Sequence, residues 1–130
     1  MVLTPSQQPT KDIRPPWRGR KEPKPLSAHE LWTEKEFQDT VRKIARHEGW
    51  LEYAIRDSRG SPRGYPDLTL VRSGEVIWAE LKKQKGIVSP EQANWLRELD
   101  KVPCTRAFVW RPSDMDRLKI ILHKGLKAVK

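Results

Sequence analysis

Three side chains have types and spacings that suit metal-assisted hydrolysis, namely Asp67, Glu80 and Lys82. Asp67 precedes one apolar stretch, Glu80 lies in the next, and Lys82 follows Glu80 by two residues. Side chains two residues apart on a β-strand project from the same face, so Glu80 and Lys82 share a face. Carboxylate oxygens suit a hard divalent cation such as Mg²⁺. A neighbouring lysine can orient or help deprotonate an attacking water, or stabilise charge at a phosphate.

A tight turn would bring Asp67 to Glu80. Residues 68–71 and 76–81 are rich in Val, Ile, Leu and Trp, as β-strands are, and Ser73-Gly74 between them can form a two-residue hairpin loop. Directly opposed residues on one face have Cβ atoms roughly 5 Å apart, although a bulge at Gly74 would remove the opposition. The predicted facing pairs are Arg72 with Glu75, Val71 with Val76, Thr69 with Trp78, and Asp67 with Glu80.

Each of the three residues also has an ordinary structural interpretation. Asp67 suits a turn that follows a proline, and Glu80 and Lys82 suit a strand face in contact with solvent. Their convergence on one face is what favours chemistry over these interpretations.

Pro66-Asp67 and Glu80-Leu81-Lys82 also match a known pattern. The sequence resembles the PD-(D/E)XK nuclease superfamily and, more narrowly, the small stand-alone VRR-NUC proteins of phages and bacteria. The similar stretch runs from Thr33 to Asp114, and its ordered motifs are more specific than an isolated PD and ExK. These motifs are Glu34, Gly49-Trp50, Asp57-Ser58-Arg59, Gly64-Tyr65-Pro66-Asp67, Glu80-Leu81-Lys82, Ser89-Pro90-Glu91-Gln92 and Val109-Trp110-Arg111-Pro112.

The resemblance implies a metal-dependent endonuclease site. Asp67 and Glu80 would bind the metal with the carbonyl group of Leu81, and Glu34 would reach the site from the first helix. Gln92 would lie near the active site. Mg²⁺ is the implied cofactor, and Mn²⁺ is a possible substitute because oxygen ligands serve both ions.

Two of these residues also have local explanations. Thr33 with Glu36 forms a capping-box pattern at the start of the first helix, where Glu34 is a first-turn acid that complements the helix dipole. Ser89 with Gln92 forms the same pattern at the next helix, which accounts for Gln92 without any function. The local and functional interpretations do not exclude each other.

The composition favours a polyanionic partner. The formal net charge is +9 and 33% of residues are charged, which makes nucleic acid the first candidate and an anionic membrane the second. No apolar run reaches the roughly 20 residues of a membrane span, and the N-terminus lacks a signal-peptide core. The single cysteine, Cys104, excludes an intramolecular disulfide and indicates a reducing cytoplasm. The resemblance implies that this is the cytoplasm of a bacterium or of a phage-infected host.

Basic segments surround the predicted site. Residues 1–29 hold six of the eleven prolines and six Lys/Arg residues, which predicts a disordered tail that is either a solvated leader or an arm along DNA phosphates. Arg59 and Arg63 precede the site, and Lys83 and Lys85 follow it. These four are candidate DNA phosphate contacts or simply exposed charges on loops.

The order of predicted elements is α-β-β-β-α-β-α. This order predicts an α/β domain with a mixed β-sheet flanked by helices, in agreement with the restriction-endonuclease-like fold that the resemblance implies. The domain is expected to span residues 30–124, with a basic C-terminal end at 125–130. Candidate core residues include Trp50, Tyr53, Ile55, Trp78, Trp95 and Trp110.

The leading hypothesis is a Mg²⁺-dependent endonuclease that hydrolyses DNA. The resemblance implies a homodimer acting on branched DNA such as a Holliday junction, since a two-fold dimer places two sites symmetrically. Alternative substrates are flaps, nicked duplexes or a specific duplex site. A non-cutting recombination accessory is a second class of alternative, although binding alone needs no facing carboxylates near a polyanion. RNA binding is a third, and no aromatic RNP-type pattern supports it.

Overall fold

Helices and strands follow one another in the order that the sequence predicts. The computed structural model describes residues 26–55 and 63–129. The elements in the described ranges are α1 (Glu34–His47), β1 (Leu51–Ala54), β2 (Leu68–Arg72), β3 (Glu75–Leu81), α2 (Pro90–Asp100), β4 (Thr105–Trp110) and α3 (Met115–Lys124), with short 3-10 turns at Pro112–Asp114 and Leu126–Ala128.

The four described strands form one mixed sheet in the order β1-β2-β3-β4. β1 pairs antiparallel with β2, β2 pairs antiparallel with β3, and β4 pairs in parallel with β3. A parallel pair needs a crossover connection, and α2 supplies it. The predicted α/β fold with a mixed sheet is therefore confirmed.

Helix α1 forms where its sequence combines an N-terminal cap with an apolar stripe. The Thr33 hydroxyl accepts a hydrogen bond from the Glu36 N–H at 3.1 Å, which is one half of the predicted capping box. Phe37, Val41 and Ala45 recur at helical spacing and are buried. The stripe fixes which side of α1 faces the sheet.

The hydrophobic core lies on one face of the sheet, under α1 and α3. Trp50 precedes β1, belongs to this core, and donates its indole N–H to the Leu122 carbonyl at 2.8 Å. The buried core residues are Phe37, Val41, Ala45, Trp50, Leu68, Leu70, Ile77, Ala79, Leu81, Trp110, Leu118, Ile121 and Leu122.

The opposite face of the sheet is covered by α2 over β3 and β4. There Tyr65 accepts a hydrogen bond from the Trp78 indole at 3.3 Å and packs edge-on against Trp95, with 5.2 Å between ring centroids. Trp78 and Trp95 are half-buried in this second layer. Tyr53, a candidate core residue, is 66% exposed, so that expectation was wrong. Tyr53 lies opposite Thr69, on the same face of the sheet as Trp78. Helix α2 covers β3 and β4 on that face, whereas Tyr53 lies on β1.

Within the described residues, no helix is long and apolar enough to cross a membrane. The predicted tail, residues 1–29, lies outside the described residues up to position 25, and its disorder stays a prediction.

Candidate active site

The hairpin formed by β2 and β3 has the predicted register. Arg72 lies opposite Glu75, and the two residues between them, Ser73 and Gly74, have φ angles of 50° and 78°. Positive φ at both central residues is the requirement of a type I′ turn, whose twist matches that of the flanking strands. No bulge shifts this hairpin. The predicted pairs Val71 with Val76 and Thr69 with Trp78 also occur.

The same register, continued one step past the end of the ladder, places Asp67 opposite Glu80. Asp67 is held at both its backbone and its side chain. Its carbonyl accepts the Ile55 N–H at 3.1 Å, and its Oδ2 accepts the Leu81 N–H at 3.1 Å. The Asp67 carboxylate is thus fixed against the end of β3, beside the residue that the sequence predicts as its partner.

Glu80 is buried, with 1% of its surface exposed. Its Oε1 lies 3.4 Å from the Lys82 ammonium nitrogen and accepts a hydrogen bond from Gln92 Nε2 at 2.8 Å. Its Oε2 is buried and accepts no hydrogen bond from the described residues. A buried carboxylate oxygen without a partner is costly. Glu80 therefore does not lie on a solvated strand face.

Burial is the main reason that the pKa of Glu80 is raised. It raises the pKa of Glu80 from its ordinary value to about 8, and the adjacent Asp67 carboxylate adds to the rise. The Lys82 ammonium opposes both effects but does not cancel them. In the absence of a further cation, one of the two carboxyl groups therefore retains a proton near neutral pH.

Lys82 projects from the same face as Glu80, as the strand spacing predicts. Its side chain is mostly buried and its ammonium lies on Glu80 Oε1. Asp67, Glu80 and Lys82, whose types and spacing suit metal-assisted hydrolysis, therefore lie close together in the structure.

Gln92 completes the predicted cap of α2 and also contacts Glu80. Its Oε1 accepts the Ser89 N–H at 2.8 Å and its own N–H donates to the Ser89 hydroxyl at 3.1 Å, which completes the capping box of α2. Its Nε2 donates to Glu80 Oε1. The cap thus orients the amide, and the amide fixes the buried glutamate.

Gly64 is a residue whose role the sequence did not indicate beyond its place in the GYPD motif. Its φ is +90°, and a Cβ at this position would lie 2.6 Å from the Glu91 carbonyl carbon and 2.8 Å from the Gln92 nitrogen. Only glycine allows this approach. It lets the segment before Asp67 rest on the first turn of α2, which brings Asp67 and Gln92 into the same site.

Glu34 occupies the first position of α1, where it is exposed and complements the helix dipole. The described residues contain no group of three or more His, Cys, Asp or Glu side chains arranged to hold a metal ion. Asp67 and Glu80 are therefore not joined by Glu34 here, and its role as a ligand stays a prediction.

The candidate DNA contacts differ in how they are placed. Arg63, Lys83 and Lys85 are exposed, and Lys85 lies 3.3 Å from a Glu30 carboxylate oxygen. Arg59 lies outside the described residues. The contacts of all four with DNA stay predictions.

Arg111 belongs to the Val109-Trp110-Arg111-Pro112 motif, and its side chain binds the backbone of a neighbouring loop. Its guanidinium donates to the carbonyl oxygens of Gly86 at 2.6 Å and Lys83 at 3.2 Å. It therefore holds the loop that leaves β3 after Lys82. The contact spans 25 residues of sequence, so local patterns could not have indicated it.

A family model described as a VRR-NUC domain matches residues 5–109 of the chain. Neither the curated proteins nor the solved structures gave a match.

Proposed function

Since this chain belongs to the VRR-NUC family, a family of nucleases, we propose that it is a Mg²⁺-dependent endonuclease that hydrolyses DNA phosphodiester bonds. One observation carries the proposal. Asp67, Glu80 and Lys82 converge at the end of the β2–β3 hairpin, and the buried Glu80 retains an oxygen, Oε2, that no described residue satisfies.

The donor groups fit a hard divalent cation. Two carboxylates, from Asp67 and Glu80, and the backbone carbonyl of Leu81 are oxygen ligands of the type that Mg²⁺ and Mn²⁺ accept. Because an opposite charge nearby favours the ionised form of a carboxyl group, a cation would offset the burial that raises the pKa of Glu80 to about 8. Glu34 remains a proposed additional ligand.

The bound metal would supply a Lewis acid for the phosphoryl group and a water of lowered pKa. The side chains of the chain itself prepare the site. Lys82 and Gln92 both contact Glu80 Oε1, whereas Oε2 accepts no hydrogen bond from the described residues and would be the oxygen that binds a cation. The Lys82 ammonium would orient the attacking water or stabilise negative charge on the phosphate.

A branched DNA such as a Holliday junction is the proposed substrate. The resemblance to small VRR-NUC proteins that act on such DNA supports this choice, and the net charge of +9 supports a nucleic acid partner. Arg59, Arg63, Lys83 and Lys85 are the proposed phosphate contacts. Flaps, nicked duplexes and a specific duplex site are the alternative substrates.

A homodimer is proposed for paired cutting of a four-way junction. Leu51, Tyr53 and Val71 lie on one face of the edge half of the sheet and are all exposed, so this apolar patch is the surface to test. Replacing Leu51 and Tyr53 with glutamate should halve the sedimentation mass if a second copy covers them. An unchanged dimer mass would place the interface elsewhere, and a monomeric wild-type protein at micromolar concentration would contradict paired cutting.

The decisive experiment is a cleavage assay with labelled four-way junction, flap and linear duplex. Each substrate is incubated with Mg²⁺, with Mn²⁺ or with EDTA, using the wild-type protein, Asp67→Asn, and the matched control Asp116→Asn on the exposed side of α3. We expect metal-dependent cutting of the junction that Asp67→Asn abolishes and the control retains.

The other outcomes are equally informative. Equal cutting of all three substrates would keep the site and remove the junction preference. Tight binding without cutting in either metal would favour the recombination accessory. Cutting that persists in Asp67→Asn would show that the site assignment is wrong.

A further inference from the structure

Ile87 is the most exposed large hydrophobic residue in the described part of the chain, with 86% of its surface accessible. It lies in loop 83–88, between the end of β3 and the start of α2. Single exposed apolar side chains are common and need no function by themselves. The surroundings of Ile87 are what distinguish it.

Loop 83–88 is held firmly in place. The Arg111 guanidinium binds the carbonyl groups of Lys83 and Gly86, and the Gly86 N–H donates to the Lys83 carbonyl at 2.9 Å. The Gln84 amide exchanges two hydrogen bonds of 3.0 Å with the hydroxyl and the N–H of Ser113. Ile87 is therefore exposed to solvent on a loop whose backbone is fixed by hydrogen bonds.

The two ends of the loop reach the candidate active site. A Cβ placed on Gly86 would lie 3.3 Å from Lys82 Cβ and 3.4 Å from Lys82 Cδ, so Gly86 rests against the lysine side chain. At the other end, the Ser89 N–H binds Gln92 Oε1. Lys82 and Gln92 both contact Glu80 Oε1. Ile87 thus stands on the segment that joins two residues of the site.

We propose that Ile87 packs against a sugar or base of the bound DNA next to the phosphate that is cut, and that it loosens the base stack there. The inference rests on the proposed nuclease function. Proteins that deform DNA insert apolar side chains between base steps, supported by cations on the backbone. Lys83 and Lys85 supply such cations on the same loop. A side chain that loosens the stack contributes most where the DNA is still paired at the cut, and least where the DNA is already unpaired.

The test compares Ile87→Ala with the control Ile120→Ala, which removes the same atoms from a residue that is 51% exposed on α3. Neither change should alter the melting temperature, because both side chains are exposed. kcat/KM is measured on a DNA that is fully paired at the cut position and on the same DNA with mismatches there. Because burying an apolar side chain against the DNA would stabilise the complex, we expect Ile87→Ala to lower kcat/KM by about 10-fold on the paired DNA.

The mismatched DNA tests the loosening itself. Because its stack is already broken, we expect Ile87→Ala to cost less than about 3-fold there. Equal losses on both DNAs would overturn the loosening, and equal kcat/KM for Ile87→Ala, Ile120→Ala and the wild type would overturn the contact altogether.

A binding measurement separates this inference from the proposed function. Asp67→Asn protein is titrated into DNA that carries 2-aminopurine beside the branch point, whose fluorescence rises when the base unstacks. The rise should occur in the Asp67→Asn background and disappear when Ile87→Ala is added, but persist with Ile120→Ala. If the wild type cuts no DNA, the proposed function fails while this signal still decides the role of Ile87. Equal signals, or no DNA binding at all, would overturn that role.

Discussion

Replacing Glu80 with glutamine isolates the effect of burying an ionisable group beside Asp67. In the folded protein, burial raises the pKa of Glu80 from 4.5 to about 8. Between these two values the unfolded chain has lost the proton while the folded chain keeps it. The folded state therefore binds more protons, and the free energy of unfolding falls as the pH rises. Below pH 4.5 this contribution is fully present, and above the folded pKa it is lost.

The size of the effect follows from the linkage relation. A difference of one bound proton changes stability by about 1.4 kcal/mol per pH unit, so the metal-free wild type should lose about 2 kcal/mol between pH 6 and pH 8. In a domain of this size that is a fall of about 8 °C in Tm. Glutamine does not ionise, and its amide can donate a hydrogen bond to the Asp67 carboxylate. Glu80→Gln should therefore keep nearly constant stability over the same interval.

The assay is urea unfolding in EDTA at pH 6, 7 and 8, followed by circular dichroism. The control is Glu98→Gln, an exposed position on α2, which should behave as the wild type. All other ionisable groups are common to the wild type and Glu80→Gln, so their contribution cancels in the comparison. Equal loss of stability in wild type and Glu80→Gln would refute the reasoning about burial.

Adding Mg²⁺ at pH 8 extends the test to the metal. We expect the wild type to regain stability, because a ligand that binds only the folded state stabilises it. Glu80→Gln should gain less. Equal gains would remove Glu80 from the metal site while leaving the burial argument intact.

The remaining predictions concern the residues that position the site. Gln92→Ala should lower the cleavage rate about 10-fold and the free energy of unfolding by about 1 kcal/mol. Gln92→Glu should keep the helix cap and still lose activity, because it places a second carboxylate against the buried Glu80. Cleavage kinetics and urea unfolding distinguish the two variants, and wild-type activity in Gln92→Glu would show that Gln92 serves only as a helix cap. Gly64→Ala should destabilise the fold by at least about 2 kcal/mol, because an added Cβ meets backbone atoms at 2.6 Å. Gly74→Ala, with a similar φ and nothing within 4 Å, should cost only about 1 kcal/mol; equal costs in urea unfolding would contradict the close approach.

The sequence predicted those features that depend on neighbouring residues. Ser73-Gly74 predicted a two-residue turn, and that turn fixes the register that opposes Asp67 and Glu80. Ser89 predicted the cap of α2 together with Gln92. Turns and caps are decided by a few adjacent residues, which is why such patterns transfer directly to the structure.

The sequence was a poorer guide to exposure. Tyr53 was a core candidate in the first strand, yet its side chain is exposed. Strand alternation shows which residues share a face, but not whether a helix covers that part of the sheet. Conversely, the sequence allowed Glu80 to lie on a strand face in contact with solvent, but its side chain is almost completely buried.

By itself, the sequence determined the order of elements, the hairpin register and the convergence of Asp67, Glu80 and Lys82, because each follows from strand periodicity and turn chemistry. Only the tertiary structure decided that Glu80 is buried with an unsatisfied oxygen, that the Gln92 amide reaches it across 12 residues of sequence, and that Arg111 holds the loop carrying Ile87. These properties depend on how separate elements pack, and packing creates the low-dielectric surroundings that alter the pKa of a carboxyl group.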